Sequence, residues 1–441
     1  MPGRAGRSRE EARGGVWDAL VNSTDRRSRA CLGLVCLAFW ASEAAAQVDP
    51  QRAEVYFAEV AALCTSEGGR MWGLSLCGPI ALADGATRTW VTNQPAPSAP
   101  PPPALGYANT AVEWGGTRWT TVVWPLIPTA DPQARARLLI HELFHRIQPQ
   151  LGLFGPEGEN PHVDTIDGRY WLQLEWRALA RALGTVGPES IAALGDALSF
   201  RARRHEVFPG SVEHERRLEI NEGLAQYTGT VVAAGTSAAA IEDVLSQLAR
   251  AAAEPTFVRT FPYSTGAAYG VLLDRWSPGW TRQVTGDDNL ARRLMAATGG
   301  SPSVDVVSAA ERYGGSELRV AEERRELERG ARLSELRRVF VAGPVVRLPR
   351  ANNATFATTG MTPIPGTGTL YTAYRVKAEW GSLEASRVVV SEDRTTLVLS
   401  APVSAADPVV SGDGWTLALA PGWALRPADR QGDLRLVKAP Q

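Results

Sequence analysis

The run His141-Glu142-Leu143-Phe144-His145 has the residue types and spacing for metal-assisted hydrolysis. Residues four apart share a face of an α-helix, so both imidazoles can reach one ion. Glu142, one position along, can reach the water that such an ion activates and take its proton. The surrounding pattern, Ala134 to Gln148, is helical, and Leu138, Leu139, Ile140, Leu143 and Phe144 make that helix a largely buried one. A surface helix with two incidental histidines is the bland alternative. It fits poorly, because an unpartnered His-Glu-His cluster in apolar surroundings is costly. Ordinary His and Glu usage produces such a run roughly one time in a hundred in a chain this long. The implied cofactor is Zn²⁺, one per chain, which in catalytic sites takes three protein ligands and leaves a fourth position for water.

A third ligand is therefore required. The longer H-E-x-x-H-x-x-G-x-x-H arrangement is excluded, because Gln148 and Leu151 stand at its glycine and third-histidine positions. His162, His205 and His214 sit among polar, arginine or proline residues and are expected to face solvent. Two carboxylates are better candidates. Glu222 lies in Leu218-Glu-Ile-Asn-Glu-Gly-Leu-Ala-Gln-Tyr227, where Gly223 permits close helix packing; a carboxylate on an opposed helix can approach the ion. Glu175 lies in the apolar helix around Trp171–Leu183, where an unpaired carboxylate is expensive. It is the alternative ligand, or else the acceptor for the second ring N–H of His141 or His145. Gln226, one helical turn past Glu222, is a further candidate for that acceptor role.

The Asn221-Glu222-Gly223-Leu224-Ala225 run resembles the Asn-Glu-Gly-Phe-Ala segment of zinc aminopeptidases, members of the thermolysin-like, gluzincin group of metallopeptidases. The resemblance implies that Glu222 is the third zinc ligand, although residues 146–221 set it farther from His145 than in those enzymes. Pro262-Tyr263-Ser264-Thr265-Gly266 is similar to their Pro-Tyr-Glu-Lys-Gly run. That similarity implies that Tyr263 donates to the oxyanion formed on the scissile carbonyl, with Tyr269 as its substitute. Their Gly-x-Met-Glu-Asn run, which holds a substrate's free amine, has no counterpart here; Glu113 is upstream at a comparable distance but with different neighbours. The resemblance thus implies a metallopeptidase and no exopeptidase preference. The three motifs fall within residues 111–276, in the family's order.

The elements that must position these groups follow from periodicity. Residues 51–66 read as a helix, and Gly68 to Asn93 as short strands and turns. Gln94 to Ala104 is a proline-rich loop. Ala111–Trp114, Gly115-Gly116 and Thr117–Trp124 form a hairpin with a two-glycine turn, and Arg118–Trp124 is the expected edge for an extended substrate. Asp131-Pro132 starts the metal helix. Helices are then expected over Tyr170–Leu183, Pro188–Phe200, Val212–Thr228, Ala238–Ala252, Gly266–Trp276, Asn289–Ala297 and Glu317–Val339. From Gly343 the composition turns to valine, threonine and glycine. The fold class is α+β: residues 47–110 a disulfide-containing segment, 111–342 a mainly helical catalytic domain, thermolysin-like by resemblance, and 343–441 a small all-β domain.

Residues 1–46 read as an export signal. Arg26-Arg27-Ser28-Arg29 is basic, Ala30 to Trp40 is apolar but too short to span a bilayer, and Ala44-Ala45-Ala46 is a small-residue cleavage site. The polar stretch before it suggests a true start near Leu20 or Val21. Cys31 and Cys36 would leave with the signal, so Cys64 and Cys77 are expected to pair in a secreted or periplasmic protein. A net charge of −1 favours neither nucleic acid nor an acidic membrane surface. The expected partner is a peptide or protein substrate. The alternatives are a non-catalytic metal-binding scaffold, a cell-surface binding protein, and a zinc hydrolase of a non-peptide amide or ester.

Overall fold

In the computed structural model the described residues are 47–438, apart from 156–157, 301, 303–304, 352–353, 357–360 and 407. The expected signal, its cleavage point after Ala46, and Cys31 and Cys36 lie outside them. Helix α1 (Pro50–Glu67) starts where the Asp49 carboxylate accepts from Gln51 and Arg52 N–H, and stops at Gly68 in the left-handed region. Its inward stripe is Ala53, Tyr56, Phe57, Val60 and Cys64. Cys64 is bonded to Cys77, closing a loop that leads into a four-stranded sheet.

That sheet holds β1 (Ile80–Asp84), β2 (Thr89–Thr92), β3 (Thr110–Trp114) and β4 (Thr117–Val123), in the order β2-β1-β4-β3. The β3–β4 turn is Gly115-Gly116, both with positive φ, as primed hairpin turns require. β4 is therefore interior, parallel to β1 and antiparallel to β3, which corrects the expectation that Arg118–Trp124 forms an edge. A strand's place in a sheet depends on a distant partner, here β1, and local alternation cannot report it. Along β1, Ile80 and Leu82 face the helical core while Ala81 and Ala83 join Leu105, Trp114 and Trp119 on the other face. Residues 47–110 thus share a core with the helices and are integral to that unit.

The helical region contains α2 (Pro132–Ile147), α3 (Ile166–Gly184), α4 (Gly187–Val207), α5 (Ser211–Leu218), α6 (Leu224–Ala234), α7 (Ser237–Ala251), α8 (Phe261–Trp276), α9 (Leu290–Thr298), α10 (Val306–Glu311) and α11 (Gly315–Arg337). Two of these differ from the periodicity reading in ways that matter. The expected helix over Val212–Thr228 is broken by a π turn, Glu219–Gly223. The one expected from Gly266 begins at Phe261, with Pro262 in its first turn, so Tyr263 is helical. The segment between His145 and Glu222 is filled mainly by α3 and α4, two packed helices joined by a short link. α6 lies against α2 at Gly229, where an added Cβ would stand 2.5 Å from the Arg137 carbonyl oxygen.

From Val345 the chain forms a six-stranded and a seven-stranded sheet. Val346, Leu348, Leu397 and Leu399 of one sheet meet Val376, Leu383, Leu417 and Leu419 of the other. The alternate residues Val345, Val389 and Val398 point the opposite way, onto Leu336 and Phe340 at the end of α11 and the turn after it. That period of two gives a β-sandwich whose outer face is sealed by the last helix. The chain is α+β, as its composition shift indicates. Among the described residues no helix is long and apolar enough to cross a membrane.

Candidate metal centre

Asp131 accepts from the Ala134 N–H at 2.9 Å, starting α2, and Leu139, Ile140, Leu143, Phe144 and Ile147 anchor the helix in the core. The stripe left over carries His141 and His145. Their Nε2 atoms lie 3.0 Å apart, and Glu222 Oε2 lies 3.3 Å from the first and 3.5 Å from the second. Ligands about 2.05 Å from one tetrahedral ion stand about 3.3 Å from each other. The observed triangle has that size, and its two nitrogens and one carboxylate are a donor set that Zn²⁺ accepts. Among the described residues this is the one group of three or more His, Cys, Asp or Glu side chains gathered tightly enough for an ion.

The remaining ring nitrogens show which atoms are free to bind. His141 Nδ1 lies 3.2 Å from Gln226 Oε1, and His145 Nδ1 lies 2.7 Å from Gln148 Oε1. Gln226 Nε2 donates to Gln247 Oε1 at 2.7 Å, and Gln148 Nε2 donates to the carbonyls of Ile220 and Asn221 at 3.1 and 2.9 Å. With both amide N–H₂ groups committed, each Oε1 must accept, so each Nδ1 donates. The Nε2 lone pairs of neutral imidazoles are then left facing one another and Glu222. Three acceptors converging in a buried space need a cation or a proton between them. Gln226 was legible as one turn past Glu222; Gln148 was not recognised, although its place three residues after His145 is the signal that could have found it.

Electrostatics express the same need. Burial opposes a charge on His145, yet the adjacent Glu222 and Glu142 carboxylates push its imidazolium up to about 9. Burial also opposes the charge on Glu222, but His141 and His145 hold its carboxyl well below the usual range. Glu142 goes the other way: burial pushes its carboxyl upward against the pull of both histidines. Its Oε2 is buried without a hydrogen-bond partner, as suits a group that works on a proton brought to it. Thr120 of β4 donates to the Glu142 backbone carbonyl at 3.5 Å, fixing the sheet beside this residue.

Tyr263 lies over the site, its ring stacked parallel on His141 with centroids 5.5 Å apart. Burial, then the charges of Glu222 and Glu142, raise its phenol well above the ordinary value, so it stays a proton donor. It reaches this position because α8 touches the π turn glycine to glycine: an added Cβ on Gly266 would stand 2.3 Å from Gly223 Cα. Gly223 therefore serves the contact with α8, while Gly229 serves the contact with α2.

Glu175 is not brought to the histidines. It is fully buried, with Arg201 Nη1 at 3.2 Å, Arg204 Nη1 at 2.6 Å and the Tyr269 hydroxyl donating at 2.7 Å. This corrects both roles considered for it, and Tyr269 is likewise engaged away from the site. An apolar helix made an unpaired carboxylate look costly; the cost is met by two arginines of α4 that local pattern did not link to it. His162 and His205 also differ from expectation. Their Nε2 atoms lie 2.6 and 2.9 Å from Glu215 rather than in solvent, whereas His214 is exposed. Glu113 faces solvent and pairs with Arg118 at 3.4 Å. Comparison with known proteins returns no matching family model, curated protein or solved structure.

Proposed function

We propose that this chain is a zinc-dependent hydrolase of peptide bonds, acting outside the cytoplasm. The observation that carries the proposal is the His141–His145–Glu222 triangle with an unpartnered Glu142 oxygen beside it. Zinc bound there supplies Lewis acidity and lowers the pKa of a water. Glu142 accepts that water's proton at its carboxylate and returns it to the departing amine. Burial raises its carboxyl above the usual carboxylate value, the direction that suits a group moving a proton. The Tyr263 hydroxyl donates to the carbonyl oxygen as charge gathers on it.

A peptide substrate is supported by the sheet. Among the described residues β3 has one neighbour, β4, and its Ala111 is the register partner of Thr120, which donates to the Glu142 backbone carbonyl. The open side of β3 offers main-chain hydrogen bonds to an extended chain. The order of the three motifs supports a gluzincin-type enzyme with a thermolysin-like catalytic domain. The Cys64–Cys77 disulfide supports an oxidising compartment.

Elemental analysis of the purified chain and its Glu222→Ala variant tests the proposal. About one zinc per parent chain, a clear loss in the variant, and cleavage of a peptide library by the parent are expected. No zinc on the parent after reconstitution would sink the hydrolase reading. Cleavage of esters or small amides but no peptide would replace the substrate class.

A further inference from the structure

The metal triangle depends on a local irregularity in the backbone. Glu219–Gly223 is a π turn inserted between α5 and α6. In an α-helix, side chains three apart project about 60° from each other. Glu219 and Glu222 would then crowd toward one face. The wider π turn rotates them further apart, which is how such turns serve functional sites. Here Glu222 goes to the histidines and Glu219 goes into the core.

Glu219 is gripped there by a bidentate pair, Arg201 Nη1 at 2.7 Å and Nη2 at 2.6 Å, with both side chains buried. Arg201 is itself held by Glu175, which Arg204 and the Tyr269 hydroxyl hold in turn. Gln148 grips the same turn through the Ile220 and Asn221 carbonyls, and Gly266 backs it at Gly223. A buried, doubly hydrogen-bonded ion pair fixes a direction as well as a position. A short helical turn pinned at residue 219 has little freedom left at residue 222.

We infer that Glu219, clamped by Arg201 with Glu175 and Tyr269 behind it, is a positioning residue that aims the Glu222 carboxylate and so sets the site's affinity for its metal. The inference rests on the reading of the triad as a metal site. It needs a comparison with a buried ion pair that does not touch the turn. Arg169–Glu322 serves: Arg169 Nε lies 2.5 Å from Glu322, Gln173 Nε2 donates to the same carboxylate at 2.6 Å, and both charged residues are buried between α3 and α11.

The experiment titrates zinc and cobalt(II) into the metal-free full chain and into Glu219→Gln, Arg201→Lys and Glu322→Gln, beside their unfolding midpoints. Glu219→Gln and Arg201→Lys are expected to weaken zinc binding tenfold or more and to alter the visible spectrum of bound cobalt. Glu322→Gln is expected to lower the midpoint and leave affinity and spectrum at parental values. Parental affinity and spectrum in a folded Glu219→Gln chain would overturn the inference, and so would an equal loss of affinity in Glu322→Gln. Should Glu219→Gln not fold, Tyr269→Phe keeps both ion pairs and removes one support of Glu175. A severalfold weaker zinc affinity is expected there, and no change overturns the inference. A parent that binds neither metal removes the metal reading and this inference together.

Discussion

Two buried polar clusters lie in the same helical core, and their chemistry is opposite. Around Arg201 and Arg204, the carboxylates of Glu175, Glu215 and Glu219 each face donors, including Tyr269, His162 and His205. Every carboxylate there meets a cation or an O–H or N–H. Around His141 and His145, acceptors face acceptors: two Nε2 atoms, one Glu222 oxygen, and a Glu142 oxygen with no partner among the protein's own groups. In the first arrangement every carboxylate is matched, and Arg201 Nε is the one buried donor of that guanidinium left without an acceptor. The second is stable only with a cation or a proton among its members. Burial of polar groups therefore does not mark a site; several acceptors converging on one point do.

The sharpest way to separate the clusters is to remove one carboxylate from each. Glu142→Gln keeps the shape of the site and removes its proton acceptor, so turnover is expected to fall by about 10²–10⁴-fold. Zinc content and the unfolding midpoint should stay near parental values, because Glu142 is not among the three converging ligands. Peptide cleavage that survives the change would assign the proton transfer elsewhere. In the arginine cluster, Glu215→Ala leaves His162 and His205 without their acceptor and Arg204 with Glu175 alone. Removing one partner of a buried ion pair costs about 3–5 kcal/mol, here toward the low end because Arg204 keeps a carboxylate. Urea unfolding should record that loss, while zinc affinity should fall less than in Glu219→Gln, because the Glu215 carboxylate holds Arg204 and two histidines and not Arg201. A fall in zinc affinity as large as that in Glu219→Gln would mean that the whole cluster, and not the Glu219–Arg201 clamp, aims Glu222.

A smaller effect is expected where a hydrogen bond to a ring nitrogen is removed. Gln148→Leu deletes the acceptor for His145 Nδ1 and the donor to the Ile220 and Asn221 carbonyls. Zinc binding should weaken about 10–100-fold, read by competition with a chelating dye. Unchanged affinity would show that ring orientation is set by packing alone.

These residues also show what was legible in the sequence. His141, Glu142 and His145 were, because one helix fixes their relation and the spacing is local. Glu222 was, because the run around it resembles a known motif and a facing helix was the physical requirement. The π turn was not: its i→i+5 bonding leaves no periodic signature in five residues, and the pattern over Val212–Thr228 reads as one helix. The partners of Glu175 were not legible either, since Arg201 and Arg204 are distant in sequence and look like ordinary surface arginines of α4. The β-sandwich was visible as a class through its valine and threonine runs. The interior position of β4 needed β1, whose pairing is non-local. Local chemistry reads from the chain; what neutralises it depends on the fold.

The two clusters should also fail at opposite ends of the pH range, and this is the finest test of the difference. In the metal-free chain, His145 is raised from 6.5 to about 9, burial opposing the charge and Glu222 outweighing it. A group with a raised folded value stabilises fully below its unfolded value, and that stability is lost as pH rises through about 9. In the arginine cluster, Glu215 is held well below 4.5, burial opposing its charge and Arg204, His162 and His205 outweighing it. A depressed group stabilises above its unfolded value, and its contribution is lost as pH falls below about 4.5. Urea midpoints of the metal-free chain should therefore decline on both limbs. Zinc takes the place of the shared proton, so loading it should abolish the decline between pH 6.5 and 9 and leave the acid limb in place. An alkaline limb that persists with zinc bound would mean that the proton on His145 and the metal do not compete for one position. The triangle would then be an ion pair like those around Arg201, and the contrast between the two clusters would disappear.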